Sequence, residues 1–265
     1  MNFLDFYADY SPLTIAALIL FPFVAGFVDA AVGGGGLIQL PSLLINLPNA
    51  SLPSLFGTNK IAALSGTSVA AYQYSKRIKF DYKLLFVVSF FSFIASFLGA
   101  KAISFMDANT LKPLILAILI IIAIYTFIKK DLGSIQTKVL SIEKKIIFGS
   151  LIGIAVGFYD GFFGPGTGSF LVLGFVVILG FEFVSASAYS KIINCITNVS
   201  ALIVFVQQGD YLLEISILMA ICNIAGNVFG SSIALKKGNA FVRIIFLVIV
   251  SIMILRYGYD VFFKP

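Results

Sequence analysis

Long apolar runs separated by short polar clusters set the pattern of this chain. They divide into five segments in each half: 13–32, 37–47, 54–75, 84–104 and 111–128, then 146–163, 168–181, 185–206, 212–235 and 240–261. Several approach the roughly 20 residues needed to cross a hydrocarbon core of about 30 Å. Unbroken apolar character does not fit the alternation of barrel strands, so each segment is predicted to be a helix. The second segment of each half is short and follows a glycine-rich break, which fits a half-helix or re-entrant piece. Pro41 and Pro48 further disfavour a regular long helix there. The pattern allows eight to ten spans.

The two halves repeat one another. GFVDAAVGGGG at 26–36 answers GFYDGFFGPGT at 157–167, and the same offset (157 − 26 = 131) pairs Lys60 with Lys191 and Gly99 with Gly230. Between Ser11 and Ser75 the only charged residues are Asp29 and Lys60; between Ile146 and Gln208 they are Asp160, Glu182 and Lys191. One Asp and one Lys kept deep in each half of a duplicated apolar chain predict a carrier.

Composition strengthens the membrane assignment. Hydrophobic residues make up 60% of the chain and charged ones 11%, against roughly 25% charged in soluble domains. Mean hydropathy is +1.04. The net charge of +6 resides mostly in short loops, as the positive-inside rule expects, and is no nucleic-acid footprint. Cys195 and Cys222 have Leu64 and Phe91 at their repeat positions, and the chain has no His. A disulfide framework, a metal centre, a cofactor and an imidazole relay are therefore not expected. Asp5 and Asp9 precede the first run, which is read as a retained span.

Loop charge predicts orientation. SKRIKFDYK, between the third and fourth segments, is basic; its counterpart QQGDYLLE carries only Asp210 and Glu214. The linker with Lys129, Lys130, Lys138, Lys144 and Lys145 is basic, as is the stretch with Lys236, Lys237 and Arg243. Placing all three basic loops in the cytoplasm requires halves of opposite orientation with both termini outside. The expected fold is an all-α polytopic bundle of two inverted repeats in the inner membrane: residues 1–130, a cytoplasmic linker at 131–145, and residues 146–265. Lipid and a small anionic substrate are the expected partners; self-association into a homo-oligomer is left open.

An ionised side chain at the centre of a span costs about 2.5–3.5 kcal/mol on insertion scales. Two readings explain why Asp29, Asp160, Lys60 and Lys191 are present. Each Asp neutralises the Lys that lies 31 residues on (60 − 29, 191 − 160), pinning two helices, or the lysines face a shared cavity and attract an anion. Gly33, Gly34, Gly35 and Gly36, with Gly164, Gly166 and Thr167, would turn backbone N–H groups and a helix N-terminus towards that anion. Close helix packing is the alternative use of the glycines. Thr58, Asn59 and Thr67 surround Lys60, while Ser190, Asn194 and Asn198 surround Lys191, as substrate lining or as interhelical hydrogen-bond glue. Glu182 sits at a segment junction, and Gln39, with only Phe170 opposite it, is the weaker candidate.

GFVDAAVGGGGLIQLPSLL, FGTNKIAALSGTSVAAYQYSKR, GFYDGFFGPGTGSFL and YSKIINCITNVSALIVF resemble the TauE/SafE sulfite exporter family. The likeness runs from about residue 13 to 259. It places family motif positions at Asp29, Gly33, Gly35, Asn59, Lys60, Asp160, Gly164, Gly166, Lys191, Asn194 and Asn198. It implies a membrane carrier, not an enzyme, for small sulfur-containing anions such as sulfite or sulfonates. The expected activity is secondary transport of such an anion between the two repeats, with Asp29 and Asp160 coupling protons or balancing the lysines. A passive anion channel is the alternative.

Overall fold

The computed structural model describes residues 10–103 and 140–237, with single positions or pairs at 116–117, 120–121, 124, 248, 251, 254–255 and 259. Both fifth segments, most of the linker and both termini fall largely outside the described residues. Among the described residues eight helices follow in order: α1 Pro12–Val32, α2 Gly36–Asn46, α3 Leu52–Ser75, α4 Tyr82–Ile103, α5 Ile142–Phe162, α6 Thr167–Val177, α7 Phe183–Gln208 and α8 Leu213–Lys237. No strand occurs among the described residues.

The start signals are local. Ser11 and Ser51 each accept a hydrogen bond from a backbone N–H three residues on, and proline occupies an early helical position after each. α5 begins at Ile142 after the Ser141 cap, so Lys144 and Lys145 lie in its first turn rather than in the linker. α2 and α6 are both 11 residues long, as the short apolar runs predicted. α2 nevertheless continues through Pro41.

Among the described residues five helices (α1, α4, α5, α7 and α8) are long and apolar enough to cross a membrane. The outward faces of α4, α5 and α8 carry Phe86, Phe90, Leu98, Ile147, Leu151, Ile221 and Phe229, all more than half exposed. Inside lie Asn, Ser, Thr, Asp and Lys side chains. Apolar outside and polar inside is the distribution expected where the surrounding solvent is hydrocarbon.

The halves interlock. α1 packs on α8 and α5 packs on α4; α3 meets α8 as α7 meets α4, and α3 and α7 meet each other. Glycines make these crossings close. Gly26 lies against the Asn223 backbone and Gly157 against Ser92; Gly230 lies against Phe27 and Gly99 against Phe158. Adding 131 to one member of each contact and subtracting it from the other gives its twin. A Cβ at any of these four glycines would collide with the facing backbone, so the repeated glycines here serve helix packing. A shared core of Val28, Leu37, Phe56, Phe163 and Phe205 fills the space between the halves, with the Phe56 and Phe163 rings 6.0 Å apart.

Candidate functional site: two crossed ion pairs around a small polar cavity

α1 and α5 each end one turn after an aspartate. Gly33 then takes φ 76°, and Gly164 and Gly166 take φ 93° and 83°, a left-handed backbone that only glycine adopts freely. These turns release the chain into α2 and α6. Lys60 and Lys191 both stand nine residues into their helices, counted from Leu52 and Phe183.

The pairing is crossed. Lys60 Nζ lies 2.7 Å from Asp160 Oδ1, and Lys191 Nζ lies 3.0 Å from Asp29 Oδ2. Each lysine is neutralised by the aspartate of the other half, not by the one 31 residues before it in its own. The equal in-chain spacing reflects duplication; the helix crossings decide which carboxylate each ammonium meets. Removing one partner of such a buried pair costs about 3–5 kcal/mol, because the other charge is left uncompensated.

Hydroxyls support the carboxylates. Thr67 donates to Asp29 Oδ2 at 2.9 Å. Thr167 Oγ1 lies 2.7 Å from Asp160 Oδ1 and 2.6 Å from the Gly164 carbonyl oxygen, so its single proton is shared between them. Lys191 also donates to the Asp29 carbonyl oxygen. Two buried acceptors, Asp160 Oδ2 and Asn59 Oδ1, have no protein partner among the described residues.

A cavity of about 20 Å³ lies between the pairs, room for about one water. Lys60, Asn59, Thr67, Asp29, Asp160, Asn194 and Asn198 line it, with Gly33, Gly35, Gly36, Gly164, Gly166 and Thr167. Most of the residues predicted from sequence therefore converge. Four do not reach the cavity wall. Lys191 is folded onto Asp29; Ser190 donates to the Gly168 carbonyl oxygen; Thr58 donates to Ser54 and accepts from the Leu212 N–H; Gly34 is buried behind the turn.

The glycine breaks divide their roles. Gly33 abuts Gly168, and the Ser169 N–H donates to the Gly33 carbonyl oxygen at 3.2 Å, so this part of the α6 N-terminus binds protein rather than ligand. Gly164 instead makes room for Lys60, whose Nζ would lie 3.1 Å from a Cβ placed there. Gln39, the weaker candidate from sequence, and Asn223, unmarked there, also line the wall, with Ala63 and Gly168. Asn223 donates to Gln39 Oε1 at 2.6 Å, and Gln39 donates to the Asn59 carbonyl oxygen at 3.3 Å. The signal for Asn223 was available: with Asn227 and Ser231 it forms an i, i+4, i+8 stripe on α8.

Comparison with known proteins agrees with this architecture. The family described as "Sulfite exporter TauE/SafE" matches residues 18–257. The chain is 36% identical over 240 residues to "Probable membrane transporter protein ORF9" of a Sinorhizobium species, covering 90% of this chain and 89% of that one. It is 32% identical to a "Probable membrane transporter protein" of Haemophilus influenzae, covering 93% and 95%. The identity to "Probable membrane transporter protein YfcA" of Escherichia coli K12 is 31%, covering 94% and 91%. No solved structure matches the chain. This multi-pass helical protein, with its charged residues paired at the centre of the bundle, belongs to the TauE/SafE family of membrane transporters.

Proposed function

We propose that the protein is a proton-coupled secondary carrier of a small sulfur oxyanion or organosulfonate, bound at Lys60 between the two halves. The observation that carries this reading is Lys60 itself. It is a buried cation in the cavity wall, held by one carboxylate oxygen and ringed by amides and hydroxyls. Such neutral donors suit the several acceptor oxygens of a sulfite or sulfonate group, and the family's description supplies the sulfur. In this conformation the cavity is too small for that anion, so loading requires Lys60 to leave Asp160 and the cavity to widen.

Charge counting supports the coupling. Two lysines and two aspartates cancel. A monovalent anion joining them leaves an uncompensated buried negative charge, which is costly; a proton taken up by an aspartate restores neutrality. Asp160 is the better placed, since its Oδ2 is buried and without a protein partner. Inward movement of a monovalent anion alone works against about 2.3 kcal/mol per 100 mV of interior-negative potential. One accompanying proton cancels that electrical cost.

The test is flux in proteoliposomes with the potential clamped and the pH gradient varied, using radiolabelled sulfite and a short alkyl sulfonate. Accumulation should follow the pH gradient and saturate with anion concentration. Non-saturating conductance that tracks only the potential would establish a channel instead.

The change of sign between the basic α3–α4 loop and the acidic α7–α8 loop supports opposite orientation of the halves, with the α3–α4 loop and the linker before α5 cytoplasmic and the termini outside. Reporter fusions after Lys79 and after Asp210 should report opposite sides; a common side removes the inverted arrangement.

A further inference from the structure

A second cavity, of about 280 Å³, opens where the C-terminal ends of α3 and α8 meet, lined by Gln73, Lys76, Arg77, Ser232 and Lys236. It is more than ten times the volume of the central one. Among the described residues the ion pairs are the two central ones, so no carboxylate neutralises these three cations. Lys76 rests over the Tyr72 ring, 4.1 Å from its centroid, which leaves its positive charge uncancelled.

This pocket is joined to the centre. Gln73 accepts from Ser231, whose hydroxyl also lies 2.6 Å from the Asn227 carbonyl oxygen. Asn227 donates to Asn223 Oδ1 at 2.8 Å, and Asn223 donates to Gln39 in the central wall. Asn223, Asn227 and Ser231 are all buried on one face of α8, the two asparagines against Gly66 of α3. Hydrogen-bonded polar residues hold two helices together, and here the same row also runs unbroken from the basic pocket to the central wall. The duplicate seam lacks the amides. At the positions equivalent to Gln73, Asn223, Asn227 and Ser231, the α7–α4 seam has Val204, Ser92, Ser96 and Ala100, and the basic pair Lys76 and Arg77 is replaced by Gln207 and Gln208.

We propose that the basic pocket is a second binding site for a small soluble oxyanion, an antechamber from which the anion reaches Lys60 along the Ser231–Asn227–Asn223–Gln39 row when α3 and α8 separate. The cations gather the anion from solution. The amides and the hydroxyl then replace its hydration along the seam. The identity of the cargo rests on the carrier reading above; the pocket and its route do not, and they can be probed with no native substrate.

The experiment uses the full chain with Cys195 and Cys222 replaced by Ala and one cysteine introduced, Ser231→Cys (isosteric) or Asn227→Cys. The protein is placed in phosphatidylcholine nanodiscs. Modification rates are measured with sulfonatoethyl methanethiosulfonate, an anion, and its trimethylammonium analogue, a cation, each normalised to its rate with a free thiol. The expected result is a preference of about tenfold or more for the anion at both positions. Replacing Lys76, Arg77 and Lys236 together by Gln should abolish it, while Lys60→Met should leave the Ser231→Cys preference in place. Equal normalised rates, no reaction at either cysteine, or a preference that survives the triple replacement would overturn the proposal. So would a preference erased by adding phosphatidylglycerol, which would make the pocket a lipid-phosphate site. Anionic preference in a protein that moves no anion would leave the antechamber standing and remove the carrier reading.

Discussion

Lys60–Asp160 and Lys191–Asp29 occupy the same place in the two repeats, yet they are built differently. Lys191 is held by two oxygens of Asp29, one from the side chain and one from the backbone, and the carboxylate is further fixed by Thr67. Lys60 has one oxygen of Asp160, whose second oxygen is unpartnered, and it stands in the cavity wall against Gly164. The first arrangement is a clasp; the second can exchange its partner. Duplication supplies the same four charges twice, and the neighbours decide what each does. Where the first half has Thr67 and Ala63, the second has Asn198 and Asn194; where it has Gln39, the second has Phe170. A symmetric pair of lysines thus becomes one enclosed in its clasp and one standing in the cavity wall.

The largest expected effect tests that division directly. Lys191→Met takes the shared donor away from both the carboxylate and the backbone carbonyl oxygen of Asp29 and should lower stability by about 3–5 kcal/mol. Pairing it with Asp29→Asn should recover most of the loss, since both charges are then gone. Lys60→Met should lower stability less, because only one carboxylate oxygen of Asp160 loses its donor, but it should abolish anion binding. Thermal unfolding of the purified variants, read beside anion binding, gives both quantities. Equal stability losses and equal binding losses for the two lysines would erase the distinction between clasp and exchanger.

Much of this was legible in the chain. The helix limits, the two short helices and the convergence of Asp29, Asp160, Lys60, Asn59 and Asn194 follow from apolar run length, glycine breaks and the repeat of rare charges. The crossed pairing was not. Sequence spacing measures distance along one half, and 31 residues from Asp to Lys invites a pair within it; only the packing of α3 against α7 and of each first helix on the other half's fourth brings the partners together. Thr58 and Ser190 were included for adjacency to other polar groups, but successive helical positions diverge by about 100° and point elsewhere. Gln39 was discounted because its repeat position is Phe170. That filter assumes the halves share a function position by position, and the cavity draws on both halves unequally.

A smaller effect sharpens the comparison further, and concerns which aspartate would take the proton in the coupling proposed above. In Asp160→Asn, Lys60 keeps an amide oxygen within reach, and the site holds one uncompensated positive charge. An arriving monovalent anion then neutralises it without any proton. Exchange of anion across the membrane should persist, while accumulation driven by a pH gradient should disappear and flux should follow the membrane potential instead. Asp29→Asn leaves its uncompensated charge on Lys191, away from the cavity wall, still held by the residue 29 carbonyl oxygen. Because Asp160 remains, pH-driven accumulation should survive in this variant, at reduced protein stability. Measuring both variants in the same vesicles, with the potential clamped, separates the two roles. If Asp29→Asn uncouples and Asp160→Asn does not, the anchor and the exchanger have been assigned to the wrong halves, and the unpartnered oxygen of Asp160 has no part in proton movement.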